Sequence, residues 1–126
     1  MGEIGRENIK KGVILSNEAE KYYNQNDFVN AAELFLEASQ YNPLEIAYLE
    51  NAANSFMKIN QNNKAITILE KLLTELNPKT GKTEYLLGII YLDLDQSDLG
   101  CDYLRKAKTK GFSFPKQVLN QFCKTK

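Results

Sequence analysis

The chain has 126 residues, 43% of them apolar and 25% charged, a composition typical of a globular protein and too apolar for intrinsic disorder. Sixteen basic and sixteen acidic residues cancel, so no net charge attracts nucleic acid or anionic lipid. Histidine is absent, which removes the commonest general base near neutral pH and the commonest metal ligand. We therefore expect one domain over residues 1–126 that is not an enzyme and uses no cofactor, metal or nucleotide.

The amino-terminal segment shows no export signal. Residues 1–6 lack the basic-then-apolar pattern of a signal peptide. Apolar runs such as 89–92 are far shorter than the roughly 20 residues that span a bilayer. We expect a cytoplasmic protein without membrane insertion; the alternative is export, if a leader has been removed.

The first predicted element is a pair of helices within residues 12–45. Its apolar residues follow i, i+4, i+7 spacing twice, which places each set on one face of a helix. These residues are Leu15, Ala19 and Tyr22, then Ala31, Phe35 and Ala38. The polar segment 24–27 between the sets favours a turn, because Asn tolerates the left-handed conformation that ends a helix and Asp caps the next one.

The same pattern returns in residues 46–80 and again in residues 81–112. It recurs first after thirty-four residues and then after thirty-five. The matching residues are Leu49, Ala53, Phe56, Ala65, Leu69 and Leu72, then Gly88, Tyr91, Gly100, Leu104 and Ala107. The small residues allow paired helices to cross closely. We expect each repeat to be an antiparallel helix pair.

Residues that end and begin helices, between and after the repeats, complete the predicted architecture. Pro43 suits the first turn of a helix, with Asn42 as its expected cap and Glu45 completing a capping box. After Gly111, residues 114–124 predict one further amphipathic helix. A single helix of this kind covers the exposed end of a stack of repeats. The prediction is all-α, with seven helices in total.

These residues resemble the tetratricopeptide repeat family, whose pattern spans thirty-four residues. The match is carried by the small and large apolar positions given above, together with Leu87-Gly88 and Pro43, and it covers about residues 12–112. No repeat keeps the signature Trp of the family, and the third lacks its closing Pro. The resemblance implies a right-handed α-solenoid whose first helices line a concave groove that binds peptides, partner helices or other protomers without catalysis.

One branch of this family binds the acidic carboxyl-terminal tails of chaperones through a two-carboxylate clamp. Its five positions correspond here to Ser16, Glu20, Asn51, Lys82 and Leu86. Only Asn51 and Lys82 match the clamp, and Glu20 would repel a carboxylate. We expect acidic tails to bind poorly.

Other chemical motifs are weak. Gly81-Lys82-Thr83 resembles the end of a phosphate-binding loop, but Leu76 stands where that loop needs its earlier glycine. Acidic pairs such as Glu18 and Glu20 are two residues apart on a predicted helix and point to different sides. We interpret the first motif as a turn and the second as solvated surface.

The resemblance places a set of residues on the groove. The chosen partner-binding residues are Asn51, Asn54, Met57, Lys82, Tyr85, Ile89 and Leu92. By the same register the wider groove also includes Val13, Ser16, Asn17, Glu20, Tyr23 and Asn24 in the first repeat, Ala47, Glu50 and Lys58 in the second, and Leu86 and Asp93 in the third. Tyr85, Ile89 and Leu92 would form an apolar ladder that either receives a partner helix or is covered by the terminal helix.

Two cysteines, Cys101 and Cys123, are too few for a metal site. Cys101 occupies the position of Ala32 and Ile66 in the earlier repeats, so we expect both thiols to be free and to serve packing.

The functional prediction is a protein-interaction scaffold or adaptor that holds a protein segment or partner helix in its groove. The alternative is a self-associating subunit whose groove is filled by another protomer. The expected partner is a protein or peptide, with a homo-oligomer possible, and neither nucleic acid nor nucleotide.

Overall fold

A computed structural model describes residues 5–123, and all regular secondary structure in this range is helical. The seven helices are α1 (Arg6–Asn24), α2 (Phe28–Tyr41), α3 (Ile46–Lys58), α4 (Asn62–Glu75), α5 (Lys82–Asp93), α6 (Ser97–Thr109) and α7 (Lys116–Phe122). The predictions of an all-α fold and of seven helices are confirmed for this range. None of these helices is both long and apolar enough to cross a bilayer.

The chain divides into two compact units, Met1–Ile68 and Leu69–Lys126. The first unit contains α1, α2 and α3, and the second contains α5, α6 and α7. The boundary falls within α4. The single domain predicted over residues 1–126 stays a prediction.

The first helix of each predicted pair ends in the same hydrogen-bonded turn. The backbone N–H groups of Asp27, Gln61 and Gln96 donate to the carbonyls of Tyr22, Phe56 and Tyr91, at 2.8–2.9 Å. The residue before each donor has a positive φ: Asn26 at 63°, Asn60 at 60° and Asp95 at 61°. Such a left-handed residue closes a helix and satisfies its last carbonyls. The local structure therefore repeats at the spacing read from the sequence, thirty-four and then thirty-five residues.

The starts of the helices agree less fully with the sequence prediction. Asp27 caps α2 as expected, since its side chain accepts a hydrogen bond from the backbone N–H of Asn30 at 3.3 Å. Asn42 does not cap α3: it follows the last residue of α2, and Glu45 precedes α3 without a side-chain cap. The chain needs three more residues to turn after Asn42, and the Glu45 N–H donates to the Asn42 carbonyl within that turn.

Two helices also differ in length from the prediction. α1 begins at Arg6, before residue 12, because residues 6–11 continue the helix without a breaker. α7 is shorter than the predicted 114–124, since Pro115 precedes its first turn and the Cys123 backbone is extended. Residue 124 lies outside the described range.

In the first unit, α1 packs on α2 and α2 packs on α3. Ala19, Ala31 and Ala52 are completely buried, and Phe35 is 2% exposed among them. Partly buried apolar side chains surround this cluster, namely Tyr22, Tyr23, Leu34, Leu36 and Ile68. Small side chains bring the helix backbones together, and the aromatic ring fills the space beside them.

In the second unit, α5 and α6 approach so closely that two glycines are required. A Cβ at Gly88 would lie 2.7 Å from Leu104 Cγ, and one at Gly100 would lie 2.9 Å from the Gly88 carbonyl oxygen. Both distances are shorter than carbon contacts allow. The expectation that small residues mark the helix crossings is confirmed here.

An ion pair joins the first turn of α5 to the residue that follows α6. The Lys110 ammonium pairs with Glu84, whose side chain is 4% exposed. Lys110 Nζ also donates to Asn77 Oδ1 at 3.0 Å and to the Pro78 carbonyl at 2.8 Å. The three donors of the ammonium therefore have three acceptors.

Replacing Ala31 with Leu should lower the free energy of unfolding by about 1–3 kcal/mol, because the added atoms have no space at the α1–α2 crossing. Ala47→Leu, at an exposed position of α3, is the matched control and should change stability little. Urea denaturation followed by circular dichroism measures both. Equal losses at the two sites would show that the assigned crossing is wrong.

Lys110→Met should destabilise the protein by about 2–3 kcal/mol, because it leaves the buried Glu84 carboxylate without its charged partner. Lys108→Met, at an exposed position two residues earlier in α6, should leave the thermal midpoint nearly unchanged. A Lys110→Met protein as stable as wild type would mean that the ion pair does not form in solution.

Candidate functional site

The first unit contains an open cleft of about 220 Å³ between α1 and α3, which we call the asparagine cleft. Its lining residues are Glu20, Tyr23, Asn24, Phe35, Asn51 and Asn54. Glu20 and Asn24 are exposed, Tyr23, Asn51 and Asn54 are partly buried, and Phe35 belongs to the core. The cleft therefore has polar walls and an aromatic component.

The Tyr23 side chain makes two contacts, one through its hydroxyl and one through its ring. Asn54 Nδ2 donates a hydrogen bond of 2.8 Å to the Tyr23 hydroxyl, which ties α3 to the last turn of α1. The Tyr23 ring also meets the Phe28 ring edge to face, with 5.0 Å between centroids and 78° between planes. Such a contact is a favoured aromatic geometry. Contacts from α3 and from α2 therefore position the ring.

Asn51 and Asn54 are three residues apart on α3, so they share one face of that helix. A primary amide carries one acceptor oxygen and two N–H donors. Together the two amides offer the donors and acceptors that an extended peptide backbone requires. Asn24 adds a third amide at the carboxyl end of α1.

The charge of the asparagine cleft is negative. Glu20 is the ionised group among its lining residues, which include neither lysine nor arginine. The cleft also lies at the carboxyl end of α1, where the helix dipole is negative. Both features favour a cation over an anion in this position.

The structure brings together two of the seven chosen residues, Asn51 and Asn54, in this cleft. Met57 is partly buried on α3 and does not line it. Lys82 begins α5 in the second unit, where its backbone N–H donates to Thr80 Oγ1 at 3.2 Å. Gly81, with φ of 85°, forms the turn before Lys82, as the sequence interpretation expected.

The three apolar ladder residues, Tyr85, Ile89 and Leu92, lie against the carboxyl-terminal segment of their own unit. They pack with Phe114, Val118 and Leu119 around a buried cluster of Cys101, Leu104 and Cys123. The Tyr85 ring centroid lies 5.0 Å from that of Phe112 and 5.3 Å from that of Phe114. The carboxyl-terminal segment, with Phe112 and Phe114 before α7, therefore lies beside Tyr85 of the ladder.

The residues added by the structure are Glu20, Tyr23, Asn24 and Phe35. The first three occupy groove positions of the first repeat, so the thirty-four-residue register was the signal that could have selected them. Phe35, which the sequence predicts on the apolar face of its helix, is both a core residue and part of the cleft wall. Ser16 and Glu50, also at groove positions, are instead 8% and 5% exposed.

The expectation of free thiols is wrong. Cys101 and Cys123 form a disulfide with a Cα–Cα distance of 5.7 Å, which fastens α7 to α6. The earlier repeats gave the packing position of Cys101 but carried no information about Cys123, which lies after the last repeat. The apolar contacts of the terminal helix bring the two sulfur atoms together.

Two tyrosines of the second unit have raised pKa values. Burial, followed by a hydrogen bond of 3.0 Å to Glu70, raises the pKa of Tyr91 to about 12. Burial also raises the pKa of Tyr103, whose ring stacks on that of Tyr91. Both phenols therefore stay protonated. Within residues 5–123 there is no group of three or more acidic or cysteine side chains arranged to hold a metal ion.

No protein-family model matches this chain, and no curated protein matches its sequence.

The non-reduced, denatured protein should take up no alkyl group, and the reduced protein should take up two, as mass spectrometry would show. Removing the bond by Cys101→Ser should cost about 2–4 kcal/mol, the range for a loop closed by a sequence separation of 22. Ser97→Ala, an exposed position on the same helix, is the control. Alkylation of both cysteines before reduction would contradict the structure.

Proposed function

We propose that this protein is a non-catalytic interaction module of the tetratricopeptide type, which binds an extended segment of another protein in the asparagine cleft. In this proposal the helix pairs follow one another as an α-solenoid. The thirty-four-residue register and the recurrence of the same turn after α1, α3 and α5 support that architecture.

The observation that carries the proposed activity is the pair of amides on one face of α3 beside an immobilised aromatic ring. Amides recognise a peptide backbone irrespective of its sequence, while the ring offers area for one side chain. A preorganised site loses little conformational entropy on binding. The cleft is therefore suited to a short extended segment.

In this proposal the apolar ladder does not bind the partner. Tyr85, Ile89 and Leu92 are already in contact with the terminal segment, so a partner helix would have to displace α7 and its disulfide. The amphipathic-helix partner is consequently replaced by an extended one.

Self-association is the second candidate, favoured by exposed apolar side chains on α1. Ile9, Val13 and Ile14 are 42%, 45% and 65% exposed. Ile9 and Val13 are one turn apart and so share a face. Sedimentation over a range of protein concentrations separates the candidates, since self-association gives a mass that rises with concentration and is reduced by Val13→Ser.

The proposed place of action is an oxidising compartment. The Cys101–Cys123 disulfide supports it, because such bonds persist outside the cytosol and are rare within it. This choice favours the export alternative over the cytoplasmic one.

Selection from a random peptide library displayed on phage, with the full chain as bait, should enrich short peptides. The Asn51→Ala/Asn54→Ala variant should bind them at least about tenfold more weakly by calorimetry, since each lost amide leaves backbone groups unpaired. Asn8→Ala, an exposed asparagine in the first turn of α1, should bind as wild type. Failure to enrich any peptide, or equal binding by the double variant, would overturn the proposal.

A further inference from the structure

Recognition of a peptide backbone makes no use of the Glu20 carboxylate in the asparagine cleft. Glu20 is an exposed carboxylate that forms no ion pair or hydrogen bond with any other residue in the described part of the chain. The other residues that line the cleft carry neutral amides or aromatic rings. A carboxylate in such a wall is available to a ligand.

The other lining groups add to the same electrostatic preference. The carboxyl end of α1 contributes the negative end of its dipole, since Tyr23 and Asn24 are the last two residues of that helix. The amide oxygens of Asn24, Asn51 and Asn54 are acceptors, and Asn54 uses an N–H group, not its oxygen, to hold Tyr23. The cleft thus combines one negative charge with several neutral acceptors.

The aromatic ring makes the preference more specific. A guanidinium group is planar, stacks on aromatic rings and presents five N–H donors, whereas an ammonium is a compact, strongly hydrated charge with three donors. Tyr23 is in contact with Phe28 and Asn54, and it lines the same cleft as Glu20. These are the requirements of an arginine side chain.

We propose that the asparagine cleft is an arginine-recognition site, in which Glu20 pairs with the guanidinium of the bound segment and Tyr23 lies beside it. This inference rests on the proposed function for the identity of the ligand as a protein segment. Glu20 would then determine specificity, while Asn51 and Asn54 hold the backbone. An acidic side chain would be excluded by the same charge.

The direct test uses capped arginine, N-acetyl-arginine N-methylamide, as the probe and does not depend on a selected peptide. Titration into the isotopically labelled full chain should shift the side-chain amide resonances of Asn51 and Asn54. The capped citrulline analogue has nearly the same shape without the charge, and it should bind at least about tenfold more weakly. Equal shifts by both compounds at equal concentration would overturn the proposal.

The Glu20→Gln variant should abolish the discrimination between arginine and citrulline. Because Glu20 is exposed, this change should leave the fold intact, as circular dichroism would verify. Glu18→Gln, an exposed carboxylate on α1 outside the cleft, is the matched control and should retain the full preference. If Glu20→Gln keeps the wild-type ratio, the arginine assignment is wrong.

The two proposals fail differently. Peptides that bind through Asn51 and Asn54 but show no Glu20-dependent preference for arginine would overturn the arginine site and leave the interaction module standing. Binding of capped arginine without enrichment of any peptide would support the site and overturn its use for a protein segment. The absence of both would overturn both.

Discussion

Close contact between helices at small residues is the constraint on which the rest of each unit depends. In the first unit, completely buried alanines such as Ala19 and Ala31 line the packing of α1 and α2. In the second unit, Gly88 and Gly100 leave no space for even a Cβ between α5 and α6. Helices packed this closely cannot rotate about their axes without steric clash. The direction of every other side chain on those helices follows from this contact.

The asparagine cleft is one consequence of that fixed rotation. Tyr23, one turn after Ala19, packs against the same buried cluster, whereas Glu20 is exposed next to it, and both line the cleft. On α3 the burial of Ala52 leaves Asn51 and Asn54 on the side that meets Tyr23. The polar residues converge at the edge of the core, to which Phe35 and Tyr23 also belong. Packing of the core therefore positions the cleft, and the hydrogen bond between Asn54 and Tyr23 links its two walls, α3 and α1.

Much of this arrangement could be predicted from the sequence because it depends on local or periodic signals. The left-handed turns at Asn26, Asn60 and Asp95 and the cap at Asp27 use the preferences of single residues. The choice of Asn42 as a cap failed because a side chain suited to capping also suits the end of the preceding helix. The extent of α1 was underestimated because residues 6–11 contain no stop signal and lie outside the repeat.

At the carboxyl end, contacts between distant segments decide the structure. Whether Tyr85, Ile89 and Leu92 faced a partner or α7 depended on how residues 112–119 return to the helix pair, which periodicity does not encode. The disulfide depended on the same return. The repeat register placed Asn51, Asn54, Glu20 and Tyr23 on the groove, but it gave no distance between side chains of α1 and α3. The sequence could therefore not show that these four residues line one cleft.

The Cys101–Cys123 bond closes a covalent ring that contains most of α6, the following turn and α7. When the chain is pulled from its two ends, tension passes from one cysteine to the other through the sulfur atoms and bypasses the residues between them. The helices before Cys101 then carry the load, while α7 and the turn before it are shielded from it. Under mechanical force the shortest of the seven helices in residues 5–123 is therefore protected by the disulfide.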